Sequence, residues 1–270
     1  MRENGALVAI VLAGGGPGDR LAREVGAPSK ALVPLGDRPL GEYVLAALRA
    51  SGVVDRVVLV GDPHGHFEGL YDVTVPAGLR LVDSLALGLG AAMSQPDAGD
   101  RLLVVTADVP WLTGAAVARF LRAASDLTGP DGRPAQLVYP IVSEADALAA
   151  FPDQSRTYAS LADGRFTGGN LVLVRRSAVP TLLALIDRVF LNRKNPLALA
   201  RIVGLGTLVR FVLGRARVSG LEQRVSALLG VAARALPTGD ACVAADVDKL
   251  AHLPGTTLPD FPAFALRRDP

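Results

Sequence analysis

Lysine and cysteine are scarce in this 270-residue chain: three lysines stand among 28 basic residues, and Cys242 is the one cysteine. A lone cysteine excludes an intrachain disulfide framework and fits a reducing, cytoplasmic setting, where a buried structural thiol is its expected role. The three histidines, His64, His66 and His252, form no metal-ligand spacing with cysteine or a carboxylate pair. Asp62-Pro63-His64-Gly65-His66 reads as a surface loop. The 28 basic and 26 acidic residues are interspersed, with a net charge of +2, which gives nucleic-acid binding no support. The most apolar late stretch, Pro196 to Gly214, is interrupted by Arg201 and Arg210. It therefore falls short of the roughly 18 uncharged residues of a spanning helix, although it could lie on a membrane surface. The apolar run Ala6 to Ala13 leads into glycines rather than a cleavage site, so no secretory signal is expected.

Half of the residues are apolar and 20% are charged, which is ample for a hydrophobic core and excludes disorder. Leu7 to Leu12 is a continuous apolar run that ends at Gly14-Gly15-Gly16, the pattern of a buried strand feeding a backbone-rich loop. Helical spacing over Pro39 to Ser51, closed by Gly52, precedes a second buried strand, Arg56 to Gly61. The alternation continues with a helix from Asp83 to Met93, a strand from Leu102 to Ala107, and a helix from Thr113, its expected cap, to Ser125. Gln136 to Ile141 and Arg165 to Val174 read as further strands, the second with an antiparallel place in a mixed sheet. From Ala178 to Ala235 the composition turns helical, and a last strand, Cys242 to Ala245, is expected to deliver Asp246 and Asp248. The domain division is thus residues 1–177 with 236–256 as one α/β domain, 178–235 as a helical insertion, and 257–270 as a tail.

The chemistry is concentrated in Leu12-Ala13-Gly14-Gly15-Gly16-Pro17-Gly18-Asp19-Arg20 and in Pro28-Ser29-Lys30-Ala31-Leu32. Glycines after a buried strand let backbone N–H groups approach an anion, and a nearby cation neutralises phosphate charge. Neither the G-x-G-x-x-G spacing of dinucleotide folds nor the G-x-x-x-x-G-K-[ST] of P-loops fits Gly14 to Lys30, so oxidoreductase and ATPase readings drop. Asp108, in Thr106-Ala107-Asp108-Val109-Pro110, and Asp246 are distant in sequence, and each is expected at a strand's carboxyl end, where α/β sheets bind ligands. Taken alone, Asp108 also fits a turn, Asp246 and Asp248 a turn or cap, and Asn170 a hairpin turn.

These segments resemble the nucleotidyltransferases of the sugar-nucleotide and molybdopterin guanylyltransferase type, a MobA-like family with a glycosyltransferase-A-like fold. The likeness rests on the Leu12-Ala13-Gly14-Gly15 opening, on Lys30, on Leu32-Val33-Pro34-Leu35-Gly36-Asp37-Arg38-Pro39-Leu40, and on the order of Asp108, Gly168-Gly169-Asn170 and Asp246-Val247-Asp248. It implies a three-layer α/β/α Rossmann-like mixed sheet. It further implies transfer of a nucleoside monophosphate from an NTP to a phosphorylated small acceptor, such as a sugar phosphate, a polyol phosphate or molybdopterin, with release of pyrophosphate. Leu12, Ala13, Gly14, Gly15 and Gly16 would contact the nucleotide, Arg20 and Lys30 would hold the triphosphate, and Ser84 would help read the base. Gly169 and Asn170 would face the acceptor, and Asp108 and Asp246, with Asp248 as a second candidate, would share Mg²⁺ or Mn²⁺. The loop reads Gly-Gly-x-x-Gly-x-Arg, one residue longer than the commoner form, which leaves the direction of Arg20 open.

An acceptor phosphate is already anionic near neutral pH, so alignment and charge neutralisation can replace a general base, and no Ser/His/Asp set is needed. Two readings stand beside this one: a catalytically silent nucleotide-binding regulatory module, and a glycosyltransferase on the same fold. The arginines of the late segment (Arg188, Arg193, Arg201, Arg210, Arg215 and Arg217) read as a solvated surface. A homodimer contact or a peripheral membrane contact through residues 178–235 is the alternative.

Overall fold

Alternate residues of one strand face two different cores, and the three layers follow from that alternation. In the computed structural model, which describes residues 5–14, 19–129, 132–154, 156–192, 202 and 204–249, strand β1 (Ala6–Leu12) lies inside a nine-stranded sheet. Leu7, Ala9 and Val11 join one hydrophobic core, and Val8 and Ile10 the other, because side chains of a strand alternate between its faces.

The chain continues through helix α1 (Arg20–Val25), the short strands β2 (Pro34–Leu35) and β3 (Arg38–Pro39), helix α2 (Leu40–Ala50), strands β4 (Arg56–Val60) and β5 (Val73–Val75), helix α3 (Leu81–Met93), strand β6 (Ala98–Thr106) and helix α4 (Gly114–Asp126). The second half holds β7 (Leu137–Ser143), α5 (Glu144–Ala150), β8 (Ala159–Leu161), β9 (Gly164–Gly168), β10 (Leu171–Arg175), α6 (Val179–Leu191), α7 (Leu205–Val212), α8 (Val218–Leu229) and β11 (Ala233–Pro237). The strand order is β5-β4-β1-β6-β10-β7-β9-β8, with β11 on β7. The pairs around β1 are parallel, whereas β10 runs antiparallel to both β6 and β7. The fold is therefore a mixed sheet between helices, with α2 and α4 (Val44, Leu48, Val117, Phe120) on one face and α3 and α6 (Leu85, Leu89, Val179, Leu182) on the other. Each fully buried Leu, Ile or Val contributes about 1.5–3 kcal/mol relative to exposure. Thr113 caps α4, its Oγ1 accepting from the Ala116 N–H at 3.1 Å.

Three expectations change. Arg165 to Val174 is two strands, not one. Leu173 opposes Val138 and Gly168 opposes Ile141, so β9 and β10 carry two extra residues against β7 and break at Gly169-Asn170. Between Ala178 and Ala235 the described residues form α6, α7 and α8, but the segment does not end helical: from Ala233 it enters the sheet as β11, parallel to β7. Cys242 to Ala245 is no strand: Ala241–Ala244 forms a 3₁₀ turn. A short run of small apolar residues has no period that separates a strand from a turn, and alanine is a weak strand former. The Asn195-Pro196 break and the tail, 257–270, lie outside the described residues.

Candidate active site

Strand β6 ends at Thr106, and the chain places Asp108 two residues further on, with the Thr106 Oγ1 donating to Asp108 Oδ1 at 2.5 Å. Lys30 opens a 3₁₀ turn whose next two residues, Ala31 and Leu32, are buried, so the turn is pinned and its lysine is aimed. Its Nζ donates to Asp108 Oδ2 at 2.6 Å and to Asp248 Oδ1 at 2.5 Å. The third segment of the site is held by Val247, which is fully buried in a cluster with Leu21, Leu40 and Trp111 and donates its N–H to the Asp108 carbonyl at 2.9 Å. That anchor sets the two flanking aspartates beside Asp108. One carboxylate oxygen from each of Asp108, Asp246 and Asp248 lies within 4.8 Å of the others. Three hard oxygen donors at that spacing suit a divalent ion such as Mg²⁺, which keeps water and phosphate oxygens for its remaining positions.

Three clustered carboxylates repel one another unless cations compensate. Lys30 supplies one positive charge and Arg156 a second, its Nη2 donating to Asp246 Oδ1 at 2.8 Å from a side chain only 8% exposed. Burial, reinforced by the like charge of Asp248, pushes the Asp246 carboxyl above its ordinary pKa, and Arg156 pulls it the other way. Burial alone would lower the Lys30 pKa, but Asp108 and Asp248 outweigh it, so the ammonium titrates above its usual range and stays charged.

The glycine opening lies next to this cluster. The Leu12 carbonyl accepts from Ala107 N–H, and Ala13 donates to the Val60 carbonyl, so both residues are locked at the strand ends. A Cβ on Gly14 would lie 2.2 Å from the Ala77 Cβ, which leaves glycine as the residue that lets the two loops meet. Gly15 and Gly16 lie outside the described residues. Ser84 is buried in α3, and its Oγ accepts from the Gly78 N–H at 3.0 Å, tying the loop beside Gly14 to the helix. Asn170 is stitched in by its backbone, donating to the Val243 carbonyl and accepting from the N–H of Thr106, two residues before Asp108. Gly169 packs on Pro140, where a Cβ would come within 2.7 Å of Cγ.

The structure thus brings together Lys30, Asp108, Asp246 and Asp248. It does not bring Arg20 to them: that residue starts α1, is exposed and pairs with Glu24 at 2.7 Å. Asp246 reaches the cluster from a turn rather than from a strand end. Reading the sequence missed Arg156, which carries no local signal, being one arginine in an irregular loop far from Asp246 in the chain. It also missed Thr106, whose place two residues before Asp108 at a strand end was visible. Ser29, next to Lys30, has a buried hydroxyl with no hydrogen-bond partner among the described residues. Cys242 is half-buried; burial first, then Asp240, raises its thiol pKa, which argues against a nucleophilic thiolate.

A carboxylate triad met by a lysine beyond the carboxyl end of β6 is accompanied by a sequence match to the MobA-like NTP transferase domain over residues 9–194. The chain belongs to that family. As a MobA-like NTP transferase domain it is similar over 92% of its length to a hypothetical transferase from Thermus thermophilus, with 41% identity, 99% of that chain covered and a TM-score of 0.80. The fold also matches 4-diphosphocytidyl-2C-methyl-D-erythritol synthase from Anaerococcus prevotii, with a TM-score of 0.54 at 11% identity, covering 92% of this chain and 95% of that one. CMP:2-keto-3-deoxy-manno-octonic acid synthetase complexed with CTP gives a TM-score of 0.53 at 14% identity over 90% and 93% of the two chains. Comparison with the curated proteins gave no match.

Proposed function

We propose that this nucleotidyltransferase-family protein joins a nucleoside monophosphate from an NTP to a phosphorylated small acceptor. An acceptor phosphate oxygen attacks the α-phosphorus, a new P–O bond forms, the bond to the bridging oxygen of the β-phosphate breaks, and pyrophosphate leaves with its electron pair. The acceptor enters already deprotonated, so no residue has to remove a proton. Asp108, Asp246 and Asp248 would hold the divalent ion, which supplies charge neutralisation on the phosphate oxygens. Leu12, Ala13 and Gly14 line the nucleotide, together with Gly15 and Gly16 of the same loop, and Ser84 keeps the base-side loop in place through Gly78. Lys30 exchanges its carboxylate partners for the triphosphate. Asn170, whose backbone is already used, offers its side-chain amide to the acceptor, with Gly169 giving close access. Arg20 serves the triphosphate from the loop's far end only after its contact with Glu24 breaks.

The observation that carries this reading is the convergence of Lys30 with three carboxylates beside the glycine loop. The fold matches to a cytidylyl-type synthase and a CMP-sugar synthetase support CTP and a sugar or polyol phosphate as the first pair to try. A pyrophosphate-release assay with four NTPs, Mg²⁺ or Mn²⁺, and a panel of sugar phosphates, polyol phosphates and molybdopterin tests it. Pyrophosphate released in step with a nucleotide-linked product is the expected result. Release of a free nucleoside diphosphate from a sugar nucleotide would instead make the protein a glycosyltransferase.

A further inference from the structure

Helix α7 inverts the pattern kept elsewhere in the molecule. A surface helix of a globular protein turns its apolar stripe toward the core. In α7 the stripe Leu205, Val209 and Val212, at i, i+4 and i+7, is turned outward, with exposures of 66%, 47% and 75%, and none of the helix's residues is buried. Leu213, at its C-terminal cap, is exposed as well. Arg210, Arg215 and Arg217, on and just after the helix, are also exposed. The 34 residues between Asp187 and Glu222 contain seven basic side chains and no acidic one, so the near-balance of the whole chain conceals a one-signed segment.

We propose that α7 is a docking surface for an anionic lipid bilayer. The helix lies in the plane of the membrane, with Leu205, Val209 and Val212 in the boundary between headgroups and acyl chains and the three arginines against lipid phosphates. No described helix is long and apolar enough to cross a membrane, so the contact is peripheral. Charge complementarity favours lipid over a second copy of the chain, because an isologous contact would set the basic side chains of this stretch near those of its copy, and Asp163, which accepts from the Val218 N–H, is a single carboxylate beside three arginines. Size favours it too: eight residues make a helix about 12 Å long, which offers far less than the ~800 Å² per partner of a stable interface. The inference does not depend on the reaction proposed above.

Flotation of the full chain with vesicles tests it, using phosphatidylglycerol and phosphatidylcholine in equal parts, and phosphatidylcholine alone. The protein should float with the anionic vesicles at low salt, lose that binding at high salt, and stay behind with the neutral ones. Val209→Glu combined with Val212→Glu should abolish flotation. Arg210→Gln, Arg215→Gln and Arg217→Gln together should weaken it on the order of a hundredfold, at roughly fivefold per basic residue. Both variants should keep the parent's circular dichroism melt, which separates lost docking from lost folding. Failure of the parent protein to float with anionic vesicles, or full flotation of the double glutamate variant, would overturn the proposal. So would a dimer seen by sedimentation that those glutamates dissociate, since the stripe would then belong to a second copy.

Discussion

The edge of the sheet and the surface of α7 use the same kinds of residue in opposite ways. At the edge, Lys30, Arg156 and three aspartates are drawn together, and the two cations are largely buried and paired. On α7, apolar side chains face outward, and the nearby arginines stand in a stretch with no acidic residue. The contrast teaches that packing decides what a charge does. A buried pair fixes geometry and is costly to break, whereas an exposed cation is screened and contributes little until a ligand arrives.

The largest effect that sharpens this contrast is expected at Asp108. Asp108→Asn should lower turnover by at least a thousandfold, read as pyrophosphate release, while the circular dichroism spectrum stays that of the parent; near-normal turnover would remove Asp108 from the site. Second comes Arg156→Ala, which leaves Asp246 partly buried without its cation, a change that costs about 3 kcal/mol when one partner of a buried pair is lost. Denaturant midpoints measure that loss, and a Mn²⁺ titration followed by electron paramagnetic resonance should show weaker metal binding. Arg156→Lys should recover part of both. Val247→Ala follows, with a cost of about 2 kcal/mol from the cavity left in its buried cluster, plus a raised metal requirement as Asp246 and Asp248 loosen. An unchanged metal titration in that variant would show that Val247 does not place the carboxylates. The smallest effect is at the other pole: Val212→Glu should change stability by no more than about 0.5 kcal/mol, the ordinary range for an exposed position. A loss several times larger would mean that α7 is packed against something in solution.

Much of the fold was legible because its parallel half is built from long, uniform signals. The run Leu7 to Leu12 and the helical spacing from Pro39 each have one period and clear ends and fall within a residue of β1 and α2. The strand read from Leu102 ends within a residue of β6 but misses its first four residues, Ala98 to Arg101, where glycine and charged residues interrupt the apolar run. The antiparallel half was read less well. β9 and β10 looked continuous since a two-residue break leaves no mark on hydrophobic alternation, and β11 was hidden at the end of a helical composition. The site divides in the same way. Lys30, Asp108, Asp246 and Asp248 stood out through their segments, while Arg156 belongs to a loop whose only distinction is where the fold carries it.

By itself the sequence determined the alternating layers, the glycine opening and the residue types able to meet a phosphate, because local period and backbone freedom are properties of neighbouring residues. Only the tertiary structure decided that Lys30 lies between Asp108 and Asp248, that Arg156 neutralises Asp246, and that the apolar stripe of α7 faces out. Those are relations between positions tens to hundreds of residues apart or between a helix and the core it lacks. They are fixed by the packing of buried anchors such as Val247 and Ala31, which no local spacing encodes.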